Sequence, residues 1–260
     1  MTFYKHPKII PNLHLNINNN EIERVESFNF LGLHLNTHMT WNTHISVISK
    51  RISRVIGLIY KMKPILPFNI VLSLYNTLIL PHLNYCLLSW GQNTEPLLLL
   101  QKRALRAVFS AGFNAHTEPL FKICNLLKID DIYRTKVLLF YHNLKHNALP
   151  IYFTSFNPMY SNGNILYSFR SPKYITPSFA HEYIKVTLRY QLPNLLNHYI
   201  VNNEIANGYI TEVNDISNIL TNVERIPLNV CKRIIKSLFI SKYSYICTIS
   251  DCYVCNCDNS

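Results

Sequence analysis

Apolar and polar positions change period along this chain, and those changes lay out its elements. Leu13-His-Leu-Asn-Ile17 alternates, Asn18-Asn19-Asn20 has turn chemistry, and Glu21-Ile-Glu-Arg-Val25 alternates again, which predicts a hairpin. Phe28 to Asn36 alternates too and predicts a further strand, while Thr2-Phe-Tyr4 reads as a short one at the start. From Ile45 the period lengthens. Ile45, Ile48, Ile52, Val55, Ile56 and Ile59 recur at threes and fours, the apolar stripe of an amphipathic helix. The same reading predicts helices over 42–62, 68–80, 82–91, 95–110, 117–127 and 130–146, with Pro67 and Pro81 at starts and Gly112 just past an end. Residues 151–212 carry Pro158, Pro172, Pro177 and Pro193 and show no long periodic run; a last helix follows over Pro227–Tyr243. The pattern predicts a mainly α chain with a small N-terminal antiparallel β piece (α+β). Its parts are a β piece at 1–40, a helical bundle at 41–150, short elements at 151–246 and a cysteine-rich tail at 247–260.

Charge sharpens this picture. The formal net charge is +11, but it is not evenly spread. Residues 1–49 balance three basic against three acidic side chains, whereas residues 50–110 set eight basic side chains against Glu95 alone. Lys50, Arg54 and Lys61 are four and seven residues apart and share a helix face away from the isoleucine stripe, with Arg51 and Lys63 beside them. A second basic helix carries Lys102, Arg103 and Arg106, and the last helix carries Lys232, Arg233 and Lys236. A concentrated positive field suits a polyanion such as nucleic acid or an anionic membrane surface; the alternative is a solubilising face.

Other chemistry is sparse. Pro64 to Thr94 holds no charge, but Pro67 and Pro81 bracket only thirteen residues, with Asn69, Ser73, Asn76 and Thr77 on one side. That is a buried amphipathic helix rather than a span of about 20 apolar residues. Met1 to Pro7 lacks the apolar core of a secretory signal, so the expected location is intracellular, nuclear or cytoplasmic, with reduced thiols. Six glycines leave none for a phosphate-binding loop. His142 and His146 stand at i, i+4 without a zincin glutamate and read as a satisfied surface or interface pair. Asp130 and Asp131 head a helix, where carboxylates cap and complement the dipole. Cys247, Cys252, Cys255 and Cys257 could hold zinc as four thiolates, or remain reduced. Tyr152, Phe153, Phe156, Tyr160, Tyr167, Phe169, Tyr174 and Phe179 stand near Arg170, Lys173 and Lys185, a composition that fits base stacking or a small satellite core.

One set of residues carries a resemblance. Ile22 to Leu35 and Thr40-Trp-Asn-Thr-His-Ile45 are followed by Leu74-Tyr75, Pro81-His-Leu-Asn-Tyr85 and Trp90-Gly91. Leu100-Gln-Lys-Arg-Ala104, His116-Thr-Glu-Pro-Leu-Phe121 and Asp131-Ile-Tyr133 come next. In this order they resemble the palm end and thumb of non-LTR (LINE-type, jockey or CR1-like) retrotransposon reverse transcriptases. The likeness covers residues 20–150 and loosens after 151, where Phe169-Arg170 and Pro193-Asn194 match family positions.

The resemblance implies last palm strands, a helical thumb-like bundle and a loosely structured C-terminal region. It implies a C-terminal fragment of an RNA-directed DNA polymerase that holds an RNA/DNA template–primer duplex through Lys50, Arg51, Arg54, Lys61, Lys102, Arg103 and Arg106. Phe28 to Leu35 would anchor the thumb and Trp41 would pack at its hinge. The family's paired magnesium ions sit on palm aspartates, and no Asp precedes Asp130 here. Magnesium would therefore belong to a palm outside this chain, supplied in trans or by a complete polymerase, and no activity is expected of this chain alone. The alternative expectation is a degenerate helical protein-interaction domain without a nucleic-acid role; neither reading invokes a membrane.

Overall fold

The computed structural model describes residues 16–18, 20–21, 23–38, 40–159, 174–178, 185, 187–206 and 225–243. Two hairpins open the described part. β1 (Asn16–Ile17) pairs antiparallel with β2 (Asn20–Glu21), a shorter pairing than the alternation suggests. β3 (Ser27–Phe30) pairs antiparallel with β4 (Leu33–Asn36), placing Phe28 opposite Leu35 and Phe30 opposite Leu33. Phe28–Asn36, expected as one strand, therefore folds back on itself. Leu31 and Gly32 both have positive φ, 48° and 82°, as a two-residue type I′ turn requires. Gly32 adopts this freely; Leu31 does so with strain, and its carbonyl is held by the Tyr85 hydroxyl at 2.6 Å.

Helices make up the rest. They are α1 (Asn42–Met62), α2 (Phe68–Leu78), α3 (Leu80–Asn84), α4 (Leu87–Trp90), α5 (Glu95–Phe109), α6 (Glu118–Ile123) and α7 (Ile129–Lys145). A 3-10 turn at Ile151–Phe156, then α8 (Leu188–Ala206) and α9 (Leu228–Ser241), complete them. The chain is mainly α with a small N-terminal antiparallel β piece. Two details differ from expectation. The helix expected over 82–91 breaks at Cys86, whose left-handed conformation (φ 47°, ψ 28°) separates α3 from α4. The nineteen-residue α8 lies where short elements were expected. Its Pro193 reads as a breaker, yet it removes a single backbone bond early in the helix, while Leu192 and Leu196 anchor the same turn in the core.

One cluster of buried residues runs through these helices. α1 packs on α5 and α2 through Ile45, Ile48, Ile52, Ile56 and Ile59, which meet a core that includes Val71, Tyr75, Leu97, Ala104 and Val108. Each such isoleucine gains about 1.5–3 kcal/mol on burial, which fixes the rotation of α1 about its axis. The cluster continues through Phe121, Val137 and Tyr141 to Ile235 and Phe239 of α9. At its centre lies Gln101. Its amide nitrogen donates to the Tyr75 hydroxyl (3.0 Å) and the Leu127 carbonyl (2.9 Å), and its oxygen accepts from the Ile129 N–H (2.9 Å). Among the described residues no helix is long and apolar enough to cross a membrane.

Candidate nucleic-acid interface

The isoleucine stripe decides where the cations of α1 go. With the stripe buried, Lys50, Arg54 and Lys61 fall on the far side of the helix, and all three are exposed. Arg51 is exposed on the flank of this face. Lys63, just past the helix, lies 5.3 Å from the centre of the Phe68 ring, which packs edge-on against Phe109. That contact ties the end of α1 to the start of α2 and the end of α5.

On α5 the buried side is Leu97, Gln101, Ala104, Leu105 and Val108, and Lys102, Arg103 and Arg106 take the other. Arg103 is exposed; Lys102 and Arg106 are half-buried. Arg106 is already engaged, since its Nε donates to the Ala115 carbonyl at 2.9 Å and so braces the turn that follows α5. Among the described residues none of the seven cations forms an ion pair. The surface thus has uncompensated positive charge on two helices that pack together, able to neutralise phosphates without reading bases.

Arg51 faces a second group. His44 is buried at the start of α1, with Trp41 and Trp90 edge-on to its ring at 6.1 and 5.3 Å. Its Nδ1 accepts the His34 backbone N–H at 3.4 Å. Burial, then the His34 and Arg51 charges, push the His44 pKa down to about 4. His82 on α3 is likewise lowered by burial and then by Arg51. Trp41 therefore packs at the junction of β4, α1 and α4. Its partner Trp90 is fully buried and donates to the Tyr85 carbonyl at 2.9 Å.

Lys136 on α7 has nothing in the sequence to single it out, since it stands between Thr135 and Val137 in a largely buried helix. The structure brings its Nζ to the Asn84 carbonyl at 2.6 Å, beside Cys86 and facing Lys232 of α9. Asp130 and Asp131 sit in the first turn of α7 as expected, but they also make tertiary bonds. Asp130 accepts from the Thr94 hydroxyl and Asp131 from Tyr243 (2.6 Å), while the bond of Asp131 to Arg134 (3.1 Å) stays local, three residues along α7. His142 and His146 stack at 4.3 Å, with His142 Nε2 on the Ile226 carbonyl at 2.7 Å.

Of the aromatic run, Tyr174 is buried against Tyr141 and Phe156 packs half-buried and edge-on against Phe140, whereas Phe153, although edge-on to Phe140, lies at the surface and Tyr152 is exposed. Tyr160, Tyr167, Phe169, Phe179, Arg170 and Lys173 lie outside the described residues, as do Thr2–Tyr4 and the zinc candidates Cys247, Cys252, Cys255 and Cys257. Among the described residues no three His, Cys, Asp or Glu side chains cluster so as to hold a metal. Of the carboxylates before Asp130, Glu21 ends β2, Glu95 is exposed in the first turn of α5 and Glu118 pairs with Lys128. Comparison with known families, with characterised proteins and with solved structures finds no match.

Proposed function

We propose that this chain is the thumb-bearing C-terminal part of a non-LTR-type reverse transcriptase, and that it holds an RNA/DNA template–primer duplex through α1 and α5. The observation that carries the reading is the exposed, carboxylate-free face of Lys50, Arg54 and Lys61 opposite a fully buried isoleucine stripe. The ordered motifs of residues 20–150 support the polymerase assignment. Polymerisation itself needs metal-holding carboxylates that residues 1–129 do not offer as aspartates, so a palm must come from elsewhere. A helical protein-interaction domain is the second reading, favoured by the exposed Phe28, Phe30 and Leu31 of the β3–β4 hairpin.

Salt dependence separates the two. If four to six cations neutralise phosphates, log K for an RNA–DNA duplex falls against log salt with a slope of roughly −4 to −5. Replacing Lys50, Arg54 and Lys61 together by glutamine flattens that slope by about three units and leaves the fold intact. Lys145, Arg225 and Lys242 replaced together are the charge-matched control. Equal losses in both variants mean that only net charge matters, and the α1 interface falls.

A further inference from the structure

The cations of α1 are not the end of the positive surface. Arg51 lies close enough to His82 of α3 for its charge to lower the imidazole pKa. At the end of α3, the Asn84 carbonyl receives the Lys136 ammonium at 2.6 Å. α7, which carries Lys136, packs on α9. On α9, Lys232 and Lys236 stand one turn apart, which places them on one side of the helix. Burial lowers the pKa of Lys136, with Cys86 opposing the shift and Lys232 adding to it, and burial and then Lys232 lower that of Lys236, so Lys232 stands near both amines. No carboxylate contributes to either lysine, and neither takes part in an ion pair of the described residues. Two half-buried amines beside a third cation on packed helices, with no carboxylate paired to them among the described residues, suit an anion.

We infer that Lys136, Lys232 and Lys236 form a second phosphate-contacting segment, continuous with the α1 face through Arg51 and α3, so that one nucleic-acid backbone runs from α1 across to α9. This inference rests on the proposed duplex-binding role and extends its footprint beyond the thumb-like helices. Phosphate diesters are the chemistry that fits. A backbone supplies several negative charges in a row, matching cations strung over three elements, α1, α7 and α9, rather than gathered in a pocket.

Two measurements on the full chain test it. The first is the salt slope of RNA–DNA duplex binding by the Lys232→Gln, Lys236→Gln double variant, expected to flatten by about two units. The second uses the unsubstituted chain. Cys86 is exposed and lies near Lys136, so bound duplex should slow its alkylation, read by peptide mapping, at least several-fold. Either an unchanged slope in the double variant or an unchanged Cys86 rate under saturating duplex overturns the second segment. The α1 reading survives that outcome if its own triple variant still flattens the slope. If the unsubstituted chain shows no salt-dependent binding, both readings fall together.

Discussion

His44 is kept neutral by its setting, and that gives the protein a pH dependence that can be measured. The ring is buried between Trp41 and Trp90, and its Nδ1 is committed as an acceptor to His34 N–H. Protonation would place a charge in this apolar site next to Arg51. In the unfolded chain the imidazole takes up a proton near its ordinary value of 6.5; in the native state it resists until about 4. Its contribution is therefore complete above pH 6.5 and is lost as the pH falls through that window. Relative to a His44→Gln variant, the stability of the natural chain should fall by about 1–2 kcal/mol across it, less than the whole shift because the exposed Arg51 charge is screened. Urea titrations at stepped pH measure the difference. Parallel stability curves for the two proteins would show that His44 does not titrate abnormally.

At the scale of elements, the helix ends follow one rule with an uncommon choice of residue. α5, α6 and α7 each close in a Schellman arrangement. Ala111 N–H bonds the Arg106 carbonyl, Leu126 N–H that of Phe121, and Ala148 N–H that of Asn143. The left-handed positions that permit this are Ser110, Asn125 and Asn147, at φ 56°, 53° and 51°. Glycine would be the least strained choice at each, and asparagine is next best. Ser110→Gly should thus raise stability by about 0.5–1 kcal/mol, and Ser110→Val should lower it by more than that. Equilibrium unfolding decides, and stabilisation by valine would contradict the strain argument.

The same positions show what the sequence could not display. The amphipathic stripe of α1 was legible because buried Ile and exposed Lys or Arg differ so sharply in burial preference. Gly112 reads as the helix stop, but the chain turns two residues earlier, at Ser110. The hairpin at Leu31–Gly32 and the break at Cys86 were hidden for a related reason: an apolar residue at positive φ leaves no turn signature. For α8, Pro193 masked a helix whose anchoring comes from tertiary burial of Leu192 and Leu196. Arg51 and Lys136 could not be connected from sequence, because only the fold places α3 between them.

Over the whole molecule, Tyr243 decides whether α9 folds as part of the same unit as α1–α7. It is buried just past α9, and its hydroxyl donates to Asp131 Oδ2 at 2.6 Å while accepting the Lys128 N–H at 3.0 Å. Lys122 Nζ reaches its carbonyl at 3.1 Å, the Lys128 ammonium lies 4.6 Å from the ring centre, and Phe121 meets the ring edge-on. Burial and the bond to Asp131 push the phenol far above its ordinary range, which favours the neutral donor. These bonds join residues more than a hundred positions apart at the corner between α6 and α7. Removing the hydroxyl in Tyr243→Phe strands the buried Asp131 oxygen and the Lys128 N–H, at a cost of about 2–4 kcal/mol. The two tryptophans report on that loss from a distance, because Trp41 and Trp90 both sit beside His44, and α4, which carries Trp90, packs on α7. If the described helices unfold as one cooperative unit, the variant lowers the midpoint seen by tryptophan fluorescence and by far-ultraviolet circular dichroism equally. A variant that lowers only the circular-dichroism midpoint would make α9 an independently folding appendage. The backbone path proposed from α1 to α9 would then cross a joint rather than one rigid face.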